Sequence, residues 1–440
     1  MILLLISLQM FTPFFMAEDE NVFIIEIYDE ESLKKVLNII PGARLYGNGT
    51  PSDPYVLENI TIYVSGLQGI LIEHFNKPLV LRDVRIYGTS IKPDIETNAL
   101  KGGIAIYISS HISLENITLF GNWLGLYVLN SKDICIRNSK IISNNIGVRI
   151  KDSENVGVLN TAFINNYKSI ELSEAQDIVI KSCTFTNTFQ YGIDVSMSND
   201  VKIIENTLIY NNIAIEIERS YEISISRNLL IENENGIILY KKVMRSNITN
   251  NYFYKNYAYA VSILLSCSNI MVYLNSFFYN AETKDIFVNK SQAQDLDGVA
   301  LWNTSEYGNY WHDLAGISED ADNDCILETA YPISGLTTST FDWRPLAYPP
   351  LQINVTKVKE RVMEEYLSFI MKGEAFNPTT GYENNETSVM NIISPKDLRK
   401  IIEESQRIKN ILEISAGIAM GGSIVFLIIS FLMRREFIKK

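Results

Sequence analysis

The sequence predicts an all-β chain wound as a right-handed, single-stranded parallel β-helix, with a C-terminal helical stalk and one transmembrane helix. Three observations carry this reading. An apolar residue recurs every 22 to 24 residues through the middle of the chain. Small polar residues recur at fixed offsets from it. A charge-free stretch, Ile414 to Met433, stands near the C-terminal end and is followed by Arg434, Arg435, Lys439 and Lys440.

The recurring residue is Leu119, Ile141, Phe163, Phe185, Leu208, Leu230, Phe253 and Phe277, at spacings of 22, 22, 22, 23, 22, 23 and 24. Two positions earlier stand Ser139, Thr161, Cys183, Asn206, Asn228, Asn251 and Asn275. Ten positions earlier stand Ser109, Ser131, Ser153, Ala175, Ser198, Ser220 and Cys267, with Val243 as the exception. New segments open with Gly125, Gly147, Gly192 and Gly236, and between the marks apolar residues alternate, as in Ile193/Val195 and Ile215/Ile217. Alternation is the period of a strand. Short strands with turn residues between them at this period describe one coil of a solenoid, since a βαβ unit or a propeller blade is longer. Stacked coils place equivalent residues in ladders, and interior asparagines then satisfy the backbone groups that an inward turn leaves unpaired. The same ladders place Cys183 and Cys267 four coils apart, roughly 19 Å at one strand spacing per coil. That is beyond disulfide reach, so both are expected as structural thiols. Cys135 sits among Ser, Lys and Asn equivalents, and Cys325 lies outside the repeat.

The ends set the compartment. Residues 1–17 read as a signal peptide, an apolar run ending at Ala17 before Glu18-Asp19-Glu20. Residues 414–433 match the ~30 Å of hydrocarbon a helix must cross. The basic residues after them place 434–440 in the cytoplasm and the bulk of the chain outside. Between these lie an N-terminal cap and opening motif (18–65), the repeats (66–290), a C-terminal cap with an Asp-rich loop (291–350), and a helical stalk with a linker (351–413). In the stalk, Val355 to Lys372 has helical spacing, Asn377 to Ser388 is polar, and Ser394-Pro395 opens another helix. The net charge of −13 argues against nucleic acid and anionic lipid as partners, because both require clustered Lys and Arg. Eight Asn-x-Ser/Thr sequons, at Asn48, Asn59, Asn116, Asn247, Asn289, Asn303, Asn354 and Asn385, permit glycosylation.

Three stretches resemble β-helix proteins grouped with the NosD-like periplasmic copper-site maturation factors. They are Gly47-Asn-Gly-Thr-Pro-Ser-Asp-Pro-Tyr-Val-Leu-Glu58, the coils from about Gly69 to Tyr279, and Gly308-Asn309-Tyr310-Trp311 with Asp320-Ala-Asp-Asn-Asp-Cys-Ile-Leu-Glu-Thr-Ala-Tyr-Pro332. The resemblance covers roughly residues 45 to 350 and implies the fold. The copper role in the group's name is not carried over, since copper takes clustered His, Met or Cys and His74, His111 and His312 are scattered. The motifs of β-helix polygalacturonases and pectate lyases are not intact here either, which counts against an enzyme.

Two constellations carry chemistry. On the outer face of the first strand, one row reads Ala105, Tyr127, Arg149, Glu171, Asp194, Glu216, Ile238. The next reads Tyr107, Leu129, Lys151, Ser173, Ser196, Glu218, Tyr240. Glu171, Asp194 and Glu216 thus fall on successive coils, neighbours about 5 Å apart and the outer two about 10 Å, separations like those of the carboxylate pairs of glycosidases. Tyr107, Tyr127 and Tyr240 are candidates for stacking on sugar rings, with Arg149 and Glu218 beside them. The bland alternative is a charged solvent face in which Arg149 and Lys151 neutralise the acids. The second constellation is Asp320, Asp322, Asp324 and Glu328, hard oxygen donors spaced as in a structural Ca²⁺ loop, although Cys325 stands where a turn glycine is usual. Trp302, Tyr310, Trp311, Phe341 and Trp343 are expected to close the last coil, because an open coil end is an unpaired sheet edge. The favoured function is a non-catalytic surface protein that binds glycan or an envelope protein. The alternatives are a polysaccharide hydrolase or lyase acting on the Glu171/Asp194/Glu216 face, and copper-site maturation.

Overall fold

A computed structural model describes residues 25–64, 69–88, 102–281, 291–335 and 340–371, and the chain divides into two units, Met1–Asn354 and Val355–Lys440. The expected signal peptide, the polar linker, the second stalk helix and the membrane span at 414–433 lie outside the described residues. Among those residues, no helix is long and apolar enough to cross a membrane. In the second unit, a helix spans Val355–Met371.

The first unit is a parallel β-solenoid, and the 22-residue period in the sequence is its coil. About nine coils of roughly 23 residues follow one another. A complete coil holds two six-residue strands and a three-residue strand, as in Leu124–Leu129, Lys132–Arg137 and Lys140–Ile142. The first strands form one 11-stranded sheet, while the second and third strands join a 21-stranded one. The surfaces they present are called here the first, second and third faces.

Corner chemistry explains why the chain is so rich in asparagine. Each of the first two corners opens with a residue at positive φ, such as Asn130 (48°) or Asn138 (53°), a region Asn tolerates better than most L-residues. The next residue, Ser131 or Ser139, is buried. These inward residues form ladders along the solenoid. At the second corner, the N–H and Nδ2 of Asn206 both donate to Oδ1 of Asn228, at 2.9 and 3.0 Å. Asn228 Nδ2 in turn donates to the Ile203 carbonyl at 2.8 Å, and the run continues through Asn251 and Asn275 to Asn309. A further ladder, not singled out in the sequence, lines the third corner through Asn211, Asn233, Asn256 and Asn280, ending on Gln292. All four cysteines are free. Cys183 takes an asparagine's place in the second-corner ladder, where its N–H donates to Asn206 Oδ1 at 2.9 Å. Burial pushes its thiol up to about 12, which makes it an inert packing group.

The recurring apolar residues point inward and stack at close to the strand spacing. Phe163 lies on Phe185 at 4.7 Å, and Phe253 on Phe277 at 4.8 Å. Phe277 continues onto Trp311 at 4.2 Å and Trp311 onto Tyr331 at 3.9 Å, so the core runs without a break into the C-terminal cap.

Both ends are closed. At the N-terminal end the amphipathic helix Glu30–Ile39, opened by a reciprocal Asp29/Ser32 capping box, buries Leu33 and Val36. The motif that follows makes a tight loop between the antiparallel strands Arg44–Tyr46 and Tyr55–Tyr63. Gly47 is required there, because at φ +86° an added Cβ would sit 1.9 Å from the Pro54 carbonyl oxygen. On the second face an alternating acid–base row, Glu58, Arg82, Glu115 and Arg137, joins successive coils. Arg82 Nη2 lies 3.1 Å from Glu115, and Arg137 pairs with its other oxygen. At the C-terminal end, each residue of Gly308-Asn309-Tyr310-Trp311 has a task. Gly308 lets Asp342 approach where a Cβ would meet its Oδ1 at 1.9 Å. Asn309 is the last rung of its ladder, and Trp311, fully buried, plugs the core. The ninth coil therefore runs to Trp311, using Ala293–Asp295, Ala300–Leu301 and Tyr310–Trp311 inside the segment that the sequence groups with the cap.

Candidate functional site

The first face owes its geometry to a break in the strand alternation. In Lys168–Ser173, Ile170 and Leu172 are buried inward and Glu171 and Ser173 lie on the outside. Ser169 is also buried, bonded to Thr188 of the third corner at 2.8 Å, so Lys168 before it returns to the outer surface. Three outer rows result. The register pairs Arg149 with Glu171, Glu171 with Asp194, and Asp194 with Glu216. It also aligns Lys151, Ser173, Ser196, Glu218 and Tyr240 beside them. The third row contains Ile146, Lys168, Tyr191 and Ile213.

The three carboxylates are brought together, and each has a partner. Arg149 grips Glu171 Oε2 through Nε at 2.8 Å and Nη2 at 2.7 Å. Lys168 Nζ bridges Glu171 at 3.2 Å and Asp194 at 3.3 Å, and lies 5.2 Å from the Tyr191 ring centroid. The Tyr191 hydroxyl lies against Glu216 and favours its ionised form. Lys151 does not join this network; it approaches Asp152 at 3.7 Å and Glu174 at 3.9 Å. Glu218 pairs with Arg219 at 3.1 Å and Lys241 at 3.6 Å, and Lys241 covers the Tyr240 ring at 4.2 Å. The side chains of Lys168 and Asp194 are only 19% and 16% exposed. Burial pushes the Asp194 carboxyl above its ordinary value, against the pull of Lys168. Burial and the Asp194 charge do the same to Glu216. Burial first, and Glu216 next, push the Tyr191 phenol up to about 12.

Lys168 is the hinge of this arrangement. Lys168→Met should destabilise the solenoid by about 2 kcal/mol at neutral pH, less than the cost of breaking a fully buried pair because a fifth of the side chain reaches solvent. The sign follows from linkage. Without the ammonium, the Asp194 carboxyl rises further above its unfolded value, so the deficit is small in acid and grows as pH rises. Urea unfolding at pH 4 and pH 7.5 checks this, and an equal loss at both would contradict it.

Beside the charged rungs, Leu124, Tyr127 and Ile146 form a small apolar cluster on the outside, flanked by Tyr107, Trp123 and Leu129. The Tyr107 and Tyr127 rings meet edge to face at 5.6 Å. Tyr127 is buried in this cluster, which gives its ring a packing role in place of an open stacking surface.

In the Asp-rich loop, the structure brings Asp320, Asp322 and Glu328 together, with donor oxygens within 4.8 Å of one another. Asp324 is not of this group. Its carboxylate accepts the Ile326 N–H at 2.8 Å and faces Arg344 at 3.7 Å. Cys325 adopts φ +70°, the conformation for which a glycine is usual. Among the described residues, no other set of three His, Cys, Asp or Glu is placed to share an ion. Of the aromatic residues expected at the cap, Trp302, Tyr310 and Trp311 are buried, while Trp343 is 67% exposed against Phe341.

Residues 41–208 match the family described as right handed beta helix region. The chain carries a β-helix region. The next stretch of this β-helix, residues 213–316, matches the family described as periplasmic copper-binding protein (NosD). No curated protein matches the chain significantly. Solved structures similar to the β-helix include PfbA, a surface adhesin of Streptococcus pneumoniae, with 14% identity over 51% of this chain and 76% of that one and a TM-score of 0.39. The Dettilon tailspike protein gp208 has 13% identity, coverages of 56% and 61%, and a TM-score of 0.33. A hyperthermoactive exopolygalacturonase from Thermotoga maritima has 11% identity, coverages of 58% and 74%, and a TM-score of 0.38. Likeness at this level carries no argument about what the β-helix binds or does.

Proposed function

We propose that the protein is a surface β-helix, exported and held to a membrane by residues 414–433, that binds a glycan on its first face without turning it over. What supports this reading is the state of Glu171, Asp194 and Glu216. Arg149 and Lys168 hold Glu171 and Asp194, and Tyr191 lies beside Glu216, in a partly dry polar surface. A surface of oriented donors and acceptors suits the recognition of sugar hydroxyls, whereas a nucleophile or general acid must be free to meet the reacting atoms. A glycan-array screen of the full chain in detergent tests it. Binding that is lost in Asp194→Asn and Tyr240→Ala is the expected result. Silence across the array would turn the search to an envelope protein as partner.

A second reading, a glycoside hydrolase or polysaccharide lyase on the same face, is favoured by the raised carboxyls of Asp194 and Glu216, since a general acid at neutral pH needs such a shift. Under it, single amide replacements at Glu171, Asp194 or Glu216 abolish turnover. Copper handling would require a cluster of soft ligands, and stoichiometric Cu(I) binding is its test.

The oxygen donors of Asp320, Asp322 and Glu328 fit a hard divalent cation, and we assign Ca²⁺ a structural place there. Calcium in 100-fold excess over its dissociation constant then adds about 2.7 kcal/mol of stability to the cap. Thermal unfolding should shift upward with Ca²⁺ and return with chelator, and Asp320→Asn should erase the shift. An unchanged melting temperature would exclude the ion.

A further inference from the structure

Among the described residues, the coils carry glycosylation sequons at Asn59, Asn116, Asn247 and, in the ninth coil, Asn303, and the fold treats them differently. Asn59 and Asn116 hold left-handed conformations, at φ 62° and 52°. Asn59 Nδ2 donates to the Gly42 carbonyl at 2.9 Å, and Asn116 Nδ2 donates to Asp83. The sequons at Asn48 and Asn303 are also engaged. Asn48 Oδ1 accepts from both the N–H and the hydroxyl of Thr50, the hydroxyl of its own sequon. Asn303 donates to the Thr304 carbonyl at 2.8 Å and accepts from Trp343 N–H at 3.1 Å.

Asn247 is the exception. It lies in mid-strand in Met244–Thr249, exposed on the second face, between Ser224 and Met271 in the register. Its side-chain amide makes no hydrogen bond among the described residues. In the preceding coil Ser224 stands opposite Asn247 and Ser226 opposite Thr249, so on that side a bulky group meets small polar side chains.

We propose that Asn247 is the N-glycosylated asparagine of the coils. The reaction joins Nδ2 to C1 of the first sugar of a lipid-phosphate-linked oligosaccharide. The C1–O bond to phosphate breaks, the lipid phosphate leaves, and the amide proton passes to a base of the transferase. Glycosylation of this kind is chemistry of exported chains, so the site rests on the export part of the reading above. It also fits the division of the surface. Among the described residues, the coil sequons lie on the second face or at its corner with the third, and the first face, with its fixed charged rungs, has none.

The test is peptide mapping by mass of the full chain isolated from the cells that make it, with surface biotinylation in parallel. The Asn247 peptide should be heavier by an oligosaccharide, and both Asn247→Gln and Thr249→Val should remove that increment while leaving the unfolding temperature unchanged. An unmodified Asn247 on a biotinylated chain overturns the site, as does sugar at Asn59 or Asn116 in its place. A chain that no surface reagent reaches defeats the export reading first, and the site with it.

Discussion

Replacing Asn228 by alanine should cost about 4 kcal/mol, because two buried backbone groups lose their partners at about 1–3 kcal/mol each. The Asn206 N–H loses the Oδ1 it donates to, and the Ile203 carbonyl loses the Nδ2 donor. Water does not replace them readily, since Asn206, Asn228 and Asn251 are fully buried. In a solenoid, stability is approximately a sum over neighbouring coils, so the loss falls on the interfaces that Asn228 shares with the coils before and after it. Asn212→Ala, at the corner residue beside ladder member Asn211, removes an amide with no buried partner and should stay within about 0.5 kcal/mol. Urea unfolding of the two variants decides the matter. Similar midpoints would mean that the ladders do not hold the coils together.

The second large effect lies in the cap and depends on pH. Asp342 is buried, and its carboxylate accepts from Trp311 Nε1 at 2.9 Å, Asn309 N at 2.7 Å and Nδ2 at 3.2 Å, and Arg344 N at 3.1 Å. Burial outweighs these donors and pushes the carboxyl up to about 6. A carboxyl with a folded value above its unfolded one binds its proton more tightly when folded. Its contribution is therefore fully present below about pH 4 and is lost as pH rises through 6, by roughly 3 kcal/mol for a two-unit shift. The emission of Trp302 and Trp311, both buried in the last coil beneath the cap, reports the unfolding. The midpoint should fall between pH 5 and pH 7, and Asp342→Asn should flatten that slope. A cap that strengthens over the same range would show that the four donors, not burial, control this group.

The coil was legible in the sequence because every rung offers the same inward environment, so Leu119 through Phe277 return at nearly constant spacing. The second-corner ladder was legible for the same reason. The third-corner ladder was not, because several of its rungs, Asn144, Asn166 and Asn211, stand beside another asparagine. In Asn144-Asn145, Asn165-Asn166 and Asn211-Asn212 one residue points inward and the other does not, and composition alone does not separate them. The Glu58–Arg82–Glu115–Arg137 row was hidden by the spacing of 33 from its second member to its third, which breaks the period. On the first face, the rows of Glu171 and of Glu218 follow from simple alternation. Lys168 does not, because the inward turn of Ser169 resets the alternation one residue before it. The reading that Arg149 and Lys151 neutralise the acids was accordingly half of the arrangement, for Arg149 serves Glu171 and Lys168 takes the place given to Lys151. Tyr191, one coil on in the same row, was missed with it. Both carry a signal visible in hindsight: a polar residue immediately before the small residue that opens the strand.

Whether the first face holds a ligand or transforms it is tested most directly by product release. The array-selected glycan is incubated with the full chain, and reducing ends and unsaturated products are followed for wild type and for Glu171→Gln, Asp194→Asn and Glu216→Gln. The account predicts no product from any of the four and weakened binding in the variants. Product from the wild type that disappears in a single amide variant would contradict it and make this face an active site.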